Sequence, residues 1–394
     1  MTFYLNDCGI VCALGDTRAA VAERLLGTQR GGVAASAAWS AGRPLPLGRV
    51  ETPLPDGAHL PLPQRSRNNR LALAALAQIR PALEAAIARY GADRVGVVVG
   101  TSTSGIAETE AALRRYALDG SLPGTFHYGQ QEMGSPAAML AAELGIEGPA
   151  YVHSSACSSS AKAMASAARL MAMGLCDAVL TGGVDALCGF TVAGFGALES
   201  VSASLCNPFS ANRAGINIGE GAALFLMSRE PAAVALRGWG ESSDGHHMSA
   251  PDPAGAGARL AIGQALARAG IEAGRVDYIN LHGTATPQND AMEARAIDAL
   301  FGGAAAASST KPFTGHALGA AAAIEAALCW LAMQDDNPLG KLPPHLWDGV
   351  ADPALPALNL VAPGTALGRP LRWALSNSFA FGGANAVLLL GRTA

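Results

Sequence analysis

The chain is 394 residues long, half of them hydrophobic, with only 15% charged and 5% aromatic residues. That apolar content excludes an intrinsically disordered chain. With 27 Lys and Arg against 31 Asp and Glu, the net charge of -4 gives no electrostatic case for a nucleic-acid partner. The start, Met1-Thr2-Phe3-Tyr4-Leu5-Asn6-Asp7, lacks a basic stretch followed by an apolar one, so no leader is expected there. Seven cysteines with no C-x-x-C pair argue against a disulfide framework or zinc ribbon and for a reducing, cytoplasmic setting. Cys8 and Cys12 read as residues of a buried strand.

In chain order, the first proline-rich stretch, Gly42 to Arg67, reads as a surface loop. An alanine-rich helix is expected over Arg70 to Tyr90, then a β-branched run, Val95 to Gly100, typical of a strand covered on both faces. A helix over Ser158 to Met173 and strands over Ala178 to Val184 and Ala222 to Met227 follow. Beyond roughly Glu230 the same alternation returns, with a helix over Ala258 to Ala269 and a strand over Val276 to Leu281. A helix over Ala317 to Met333, a second proline cluster (Gly340 to Gly364), and strands over Trp373 to Ser378 and Ala386 to Leu390 complete it. The apolar run from Ala317 is broken by Glu325 and is shorter than the roughly 20 residues of a membrane span, so it reads as a buried core helix. Alternating strands and helices imply an α/β layered protein. Two comparable groups imply a duplicated unit, with halves 1–235 and 236–394.

The richest chemical segment is His153-Ser154-Ser155-Ala156-Cys157-Ser158-Ser159-Ser160-Ala161-Lys162. A small-residue turn running into a helix places Cys157 at a helix N-terminus, where the dipole and free N–H groups favour a thiolate. A packed core cysteine explains this segment equally well. Two histidines shift that balance. His282 lies in Leu281-His282-Gly283-Thr284-Ala285-Thr286-Pro287 and His316 closes Ser309-Thr310-Lys311-Pro312-Phe313-Thr314-Gly315-His316, both where one element meets the next. With Cys157 they form a thiol–imidazole constellation. The run Ser376-Asn377-Ser378-Phe379-Ala380-Phe381-Gly382-Gly383-Ala384-Asn385 reads as strand, glycine turn and strand. Phe379 and Phe381 could be core, or the turn could aim a backbone N–H at an oxyanion.

These segments, with Asn207 to Gly215 and Gly219 to Ala222, resemble the elongating β-ketoacyl-acyl-carrier-protein synthases along essentially the whole chain. The resemblance implies a duplicated thiolase-like fold, layered α-β-α-β-α around two mixed five-stranded sheets. Cys157 then matches the nucleophile that takes the acyl chain, and His282 and His316 match the pair that promotes loss of CO2 from a malonyl thioester. Cys157 and Phe381 supply the oxyanion-hole N–H groups, with Phe381 also gating the acyl pocket. Lys311 and Glu325 match a buried charged pair behind the histidines. Thr284 and Thr286 match the residues that hold the pantetheine arm, and Phe379 and Phe195 complete the substrate-binding set. No cofactor or metal of the protein's own is implied: phosphopantetheine arrives on the acyl carrier protein, which is the expected partner beside a second, identical or related subunit. Neither nucleic acid nor membrane insertion is expected.

Several positions depart from the family pattern. Ala380 stands where glycine is usual, Ala384 where threonine is, and Ala285 where serine is. Ser210 and Ala214 replace two acidic residues. None removes a catalytic group, and the run Arg213 to Leu226 looks most like synthases of aryl-polyene-type clusters. His246-His247 after Asp244 offers no third ligand and reads as a loop pair rather than a zinc site. Lys162, Arg169 and Arg213 read as ordinary single charges. Two rivals remain: a non-catalytic chain-length-factor-like subunit, which would lack the nucleophile, and a non-decarboxylating thiolase, which would carry another cysteine near the C-terminus.

Overall fold

Strand β1 (Phe3–Cys12) is followed by α1 (Arg18–Leu26) and a separate hairpin of β2 (Val33–Ser36) and β3 (Leu45–Gly48). Then come α2 (Arg67–Tyr90), β4 (Val95–Gly100), α3 (Ile106–Asp119), α4 (Ser135–Leu144) and β5 (Ala150–His153). The first half closes with α5 (Ser159–Ala172), β6 (Ala178–Asp185), α6 (Gly189–Ala197) and β7 (Gly221–Ser228). The second runs through β8 (Val234–Ser243), α7 (Ala256–Ala269), β9 (Tyr278–Asn280), α8 (Pro287–Phe301), β10 (Ala306–Ser308) and α9 (Lys311–Thr314). It ends with α10 (Ala321–Ala332), β11 (Asn359–Leu360), β12 (Trp373–Ala380) and β13 (Ala384–Arg392). This computed structural model describes residues 2–27, 31–40 and 42–393; Met1, the first residue of the start considered above, lies outside them.

The strand orders of the two halves match. One half reads β5-β4-β6-β7-β1 and the other β10-β9-β12-β13-β8. In each, the first two pairings are parallel and the last two antiparallel. Even close approaches correspond. A Cβ on Gly9 of β1 would lie 2.0 Å from Ala75 O of α2, and one on Gly240 of β8 would lie 1.8 Å from Ala261 O of α7. Glycine at those two places lets each outer helix lie directly on its strand. The expected pair of five-stranded sheets needs one correction. β1 and β8, both ten residues long, overlap at Phe3↔Leu236 and Tyr4↔Ala235, joining the two into one eleven-stranded sheet with β11 added at the edge.

The layers follow from which faces are apolar. The outer face of the first half is covered by α2 and α4, burying Leu71, Leu76, Ile79 and Leu140 against the valines of β4. α7 and α8 cover the second half. Between them, α5 packs on β4, β6 and β13 while α10 packs on β7 and β12, so both of these helices are buried among strands of the two halves. Every residue of α10 is buried, as expected for a helix apolar on all sides. Among the described residues α2 is the one helix long and apolar enough to cross a membrane, but its apolar face lies on β1, β6 and β7.

Six strands occur where the sequence pattern places them, although Val276 to Leu281 shortens to Tyr278–Asn280. β5, β8 and β10 escape that pattern because A-Y-V-H, the glycine-interrupted β8 and A-A-S carry too few β-branched residues in sequence to stand out. The stretch from Gly42 to Arg67 is not a surface loop throughout. It contains β3, buries Leu47, Val50 and Leu60, and sets Gly48 so close to Thr314 that a Cβ would lie 1.9 Å from its carbonyl oxygen. It forms a wall behind the loop that ends at His316.

Candidate active site

Cys157 sits in a turn between β5 and α5. Ala156 takes a positive φ of 50°, Ser158 is the N-cap, and Ser159 Oγ donates to Ala156 O at 2.6 Å while accepting from Ser155 N at 2.8 Å. Gly100 at the end of β4 lets α5 begin close to the sheet: a Cβ there would lie 2.3 Å from Ser160 N. Cys157 is 5% exposed, and its sulfur lies 3.0 Å from His316 Nε2.

His316 is held by its backbone, with its N–H donating to Asn217 O at 2.6 Å and its carbonyl accepting from Gly219 N at 2.9 Å. The His282 ring stands nearly perpendicular to it, 5.3 Å away between centroids. The His282 loop is anchored by Glu293, whose carboxylate accepts the N–H groups of His282 (2.8 Å) and Gly283 (2.7 Å) and the Asn377 amide (3.0 Å). Asp290 anchors the next turn, accepting from Phe209 N at 2.8 Å and Ala285 N at 3.2 Å, both residues in the left-handed region.

Lys311 Nζ meets Glu325 Oε1 at 2.5 Å, donates to His282 O and lies 3.4 Å from His282 Nδ1. An ammonium only donates, so Nδ1 is the acceptor and the proton of neutral His282 sits on Nε2. Lys311 and Glu325 do not line the cleft; they stand behind His282. Lys311→Met strands a carboxylate that is 2% exposed. It should cost about 3–5 kcal/mol in urea unfolding. The loss should be larger at pH 8 than at pH 5, because burial raises the Glu325 pKa and acid then neutralises the orphan. A loss below about 1 kcal/mol, the range of an exposed ion pair, would contradict a buried pair.

Charge states follow from burial. Desolvation pushes the Cys157 thiol up to about 12, opposed by Lys311 and by the Phe381 backbone N–H directed at the sulfur. This corrects the reading of the helix-start position as favouring a resting thiolate, since burial outweighs it. Burial, then Lys311, holds both imidazoles well below the usual histidine range, so they are neutral. The resting pair is a thiol beside an imidazole that can accept its proton.

The three groups lie at the floor of a cleft of about 570 Å3, including its open mouth, lined also by Thr284, Thr286, Phe195, Phe379, Ala380 and Phe381. Thr284 and Thr286 bring their hydroxyls within 2.9 Å. Phe381 packs on Phe195 at 5.4 Å between rings, and Phe379 lies 6.2 Å from His282. The expected site residues therefore converge. The Phe381 turn, with Gly382 and Gly383 at φ of 80° and 70°, is tied to the loop after β8 by Gly382 N→Met248 O (2.8 Å) and Asp244 N→Gly383 O (2.9 Å). Ser249 and Pro251 of that loop line the cleft. His246 and His247 lie there too, exposed, outside the cluster of possible metal ligands found among the described residues. That cluster is Cys157, His282 and His316 themselves, whose ligand atoms lie within 4.8 Å of one another, a spacing that also suits a soft divalent ion.

Of the departures from the family pattern, Ser210 finds a partner in place of a charge, whereas Ala285 sits in the left-handed region at a φ of 64°. Ser210 and Asn212 each donate to Asp348 at 2.8 Å, and Arg213, read as a single charge, pairs with Asp352 at 2.6 Å. Arg169 likewise pairs with Glu241. Sequence reasoning missed the anchoring carboxylates Asp185, Asp290 and Glu293. The available signal was the one that singled out Glu325, a carboxylate among apolar neighbours, and it also marks Glu293 in α8.

A thiol and two imidazoles at a cleft between the halves of a duplicated α/β fold define a condensing enzyme of the thiolase superfamily. Residues 59–233 match the beta-ketoacyl synthase N-terminal domain and residues 233–346 the beta-ketoacyl synthase C-terminal domain. The chain belongs to the β-ketoacyl synthase family and is an acyltransferase-type condensing enzyme. It is 38% identical over 308 residues to nodulation protein E of Rhizobium meliloti, covering 75% of each chain. It is 32% identical over 352 residues to 3-oxoacyl-[acyl-carrier-protein] synthase 2 of Staphylococcus aureus, covering 84% of this chain and 86% of that one. Among solved structures it is similar to the ketosynthase ApeO in complex with its chain length factor ApeC from Xenorhabdus doucetiae. That match has 46% identity and a TM-score of 0.94, covering 100% of this chain and 98% of the other.

Proposed function

We propose that the chain is the catalytic subunit of a ketosynthase pair that extends a carrier-bound acyl chain by decarboxylating condensation with a malonyl unit, in an aryl-polyene-type pathway. The observation that carries this reading is the 3.0 Å contact of Cys157 Sγ with His316 Nε2 beside His282. The pathway and the related partner subunit rest on the whole-chain likeness to ApeO, which is bound to a chain length factor. Retention of Cys157, His282 and His316 speaks for the catalytic member of such a pair.

In the first half-reaction, Sγ attacks the acyl thioester carbonyl as His316 Nε2 takes its proton. The N–H groups of Cys157 and Phe381 hold the oxyanion, and the pantetheine thiol leaves with the proton. In the second, the malonyl arm enters past Thr284 and Thr286. The Nε2–H of His282, and that of His316 once solvent exchange has moved its ring proton from Nδ1 to Nε2, bind the thioester carbonyl oxygen while the C–CO2 bond breaks, leaving an enolate. That carbanion attacks the acyl-Cys157 carbonyl, the C–S bond breaks, and Sγ takes the proton of His316 Nε2, which solvent replaces at Nδ1.

The test is incubation with acyl-carrier thioesters of graded length and malonyl-carrier protein, with and without a co-expressed homologous subunit. Condensation that depends on that subunit, with unsaturated intermediates favoured over saturated ones, is expected. Efficient elongation of saturated acyl chains by the isolated chain would overturn the pathway and partner assignments.

A further inference from the structure

Asp185, the last residue of β6, is 1% exposed and accepts every one of its hydrogen bonds from a neutral group. Oδ1 takes Thr101 Oγ1 (2.6 Å), Ser102 N (2.8 Å), Thr103 N (2.9 Å) and Thr103 Oγ1 (2.9 Å). Oδ2 takes Ser102 Oγ (2.6 Å) and Gly319 N (2.6 Å). One buried carboxylate thus ties the end of β6 to the loop after β4 and to the segment that follows His316. No step of the proposed reaction uses it.

Both segments it clamps are strained. Ser104 takes a φ of 44° and Leu318 a φ of 48°, conformations that L-residues hold only where their surroundings over-determine them. Leu318 lies between His316 and Gly319, and Gly319 sits so tightly that a Cβ there would be 2.8 Å from both Asp185 Oδ2 and Ser102 N. His316 itself lacks the usual means of orienting a catalytic imidazole. Among the described residues no protein group meets its buried Nδ1. Catalytic histidines are ordinarily aligned through that second nitrogen. Here the direction of Nε2 toward Cys157 must come from the backbone, pinned before the strained turn by Asn217 and Gly219 and after it by Asp185.

We infer that Asp185 is a positioning residue for His316, holding Nε2 at the distance where it accepts the Cys157 proton; this rests on the reading of Cys157 and His316 as a catalytic pair. An asparagine cannot substitute. Whichever way its amide lies, the NH2 faces hydrogen-bond donors, either the four on the Oδ1 side or the two on the Oδ2 side.

The test is alkylation of Cys157 by iodoacetamide, read on the Cys157 peptide by mass spectrometry from pH 7 to pH 10 in the full chain, with no condensation required. His316→Ala should slow alkylation at neutral pH, with the rates converging at high pH where hydroxide removes the proton. Asp185→Asn should give a loss of about tenfold at pH 7, the same convergence, and no further loss when added to His316→Ala. Ser102→Ala removes one hydroxyl from the cluster and should give a several-fold loss with the same pH signature; it decides the matter if Asp185→Asn does not fold. A wild-type profile in the folded variants, an equal loss at every pH, or full additivity with His316→Ala would overturn the inference. An unchanged rate in His316→Ala would overturn the pair reading as well, so the two failures are distinct.

Discussion

Cys157→Ala is expected to abolish acyl-enzyme formation: intact-protein mass spectrometry after incubation with an acyl-carrier thioester should show no added acyl mass. The expected loss of condensation is at least about 10^4-fold, the scale seen when a covalent nucleophile is deleted. The effect is this large because no second thiol can take over. Among the described residues the other six cysteines are all buried, and none lines the cleft. Cys329, the last in the chain, lies within α10, which is buried throughout. The fold should survive, since the substitution removes only a sulfur. An acyl adduct persisting in the variant would show that the nucleophile is elsewhere.

The two histidines should separate. His282 presents Nε2–H because Lys311 faces its Nδ1, so its task is to donate to the malonyl carbonyl. His282→Ala should suppress malonyl decarboxylation by about 10^2–10^4-fold while leaving self-acylation near the wild-type rate. His316 touches the sulfur as well. Its alanine variant should lose decarboxylation to a similar extent and also acylate more slowly, though not be silent. Burial keeps both rings neutral, so neither effect should depend on pH in the range where free histidine titrates, roughly pH 6–7. Equal loss of both half-reactions in both variants would refute this division of labour.

Much of this site is legible in the sequence because its chemistry comes in contiguous pieces. The Cys157 turn, the His282 loop, the Lys311–His316 segment and the Phe381 turn each carry their own small-residue signature. The fold places all four at one cleft, and abundant glycine and alanine is what that convergence requires. What the sequence hides is whatever depends on distance in space. The resting state of Cys157 is set by desolvation, which a helix-start pattern cannot report. The carboxylates of Asp185, Asp290 and Glu293 contact loops through backbone N–H groups, which have no sequence signature of their own. The joining of the sheets at β1 and β8 rests on two residue pairs near Phe3 and Leu236. Gly42 to Arg67 reads as exposed because proline and glycine mark turns, yet Gly48 is placed there by the carbonyl of Thr314.

The central claim is that Cys157 carries the acyl chain between two half-reactions. The most direct measurement is a single-turnover experiment in which the protein is loaded from an acyl-carrier thioester, freed of carrier and then given malonyl-carrier protein. The account predicts an acyl mass on the Cys157 peptide that disappears as one CO2 and one β-ketoacyl-carrier product form in equal amounts. An acyl mass that malonyl-carrier protein does not discharge, or that maps to another residue, would contradict it.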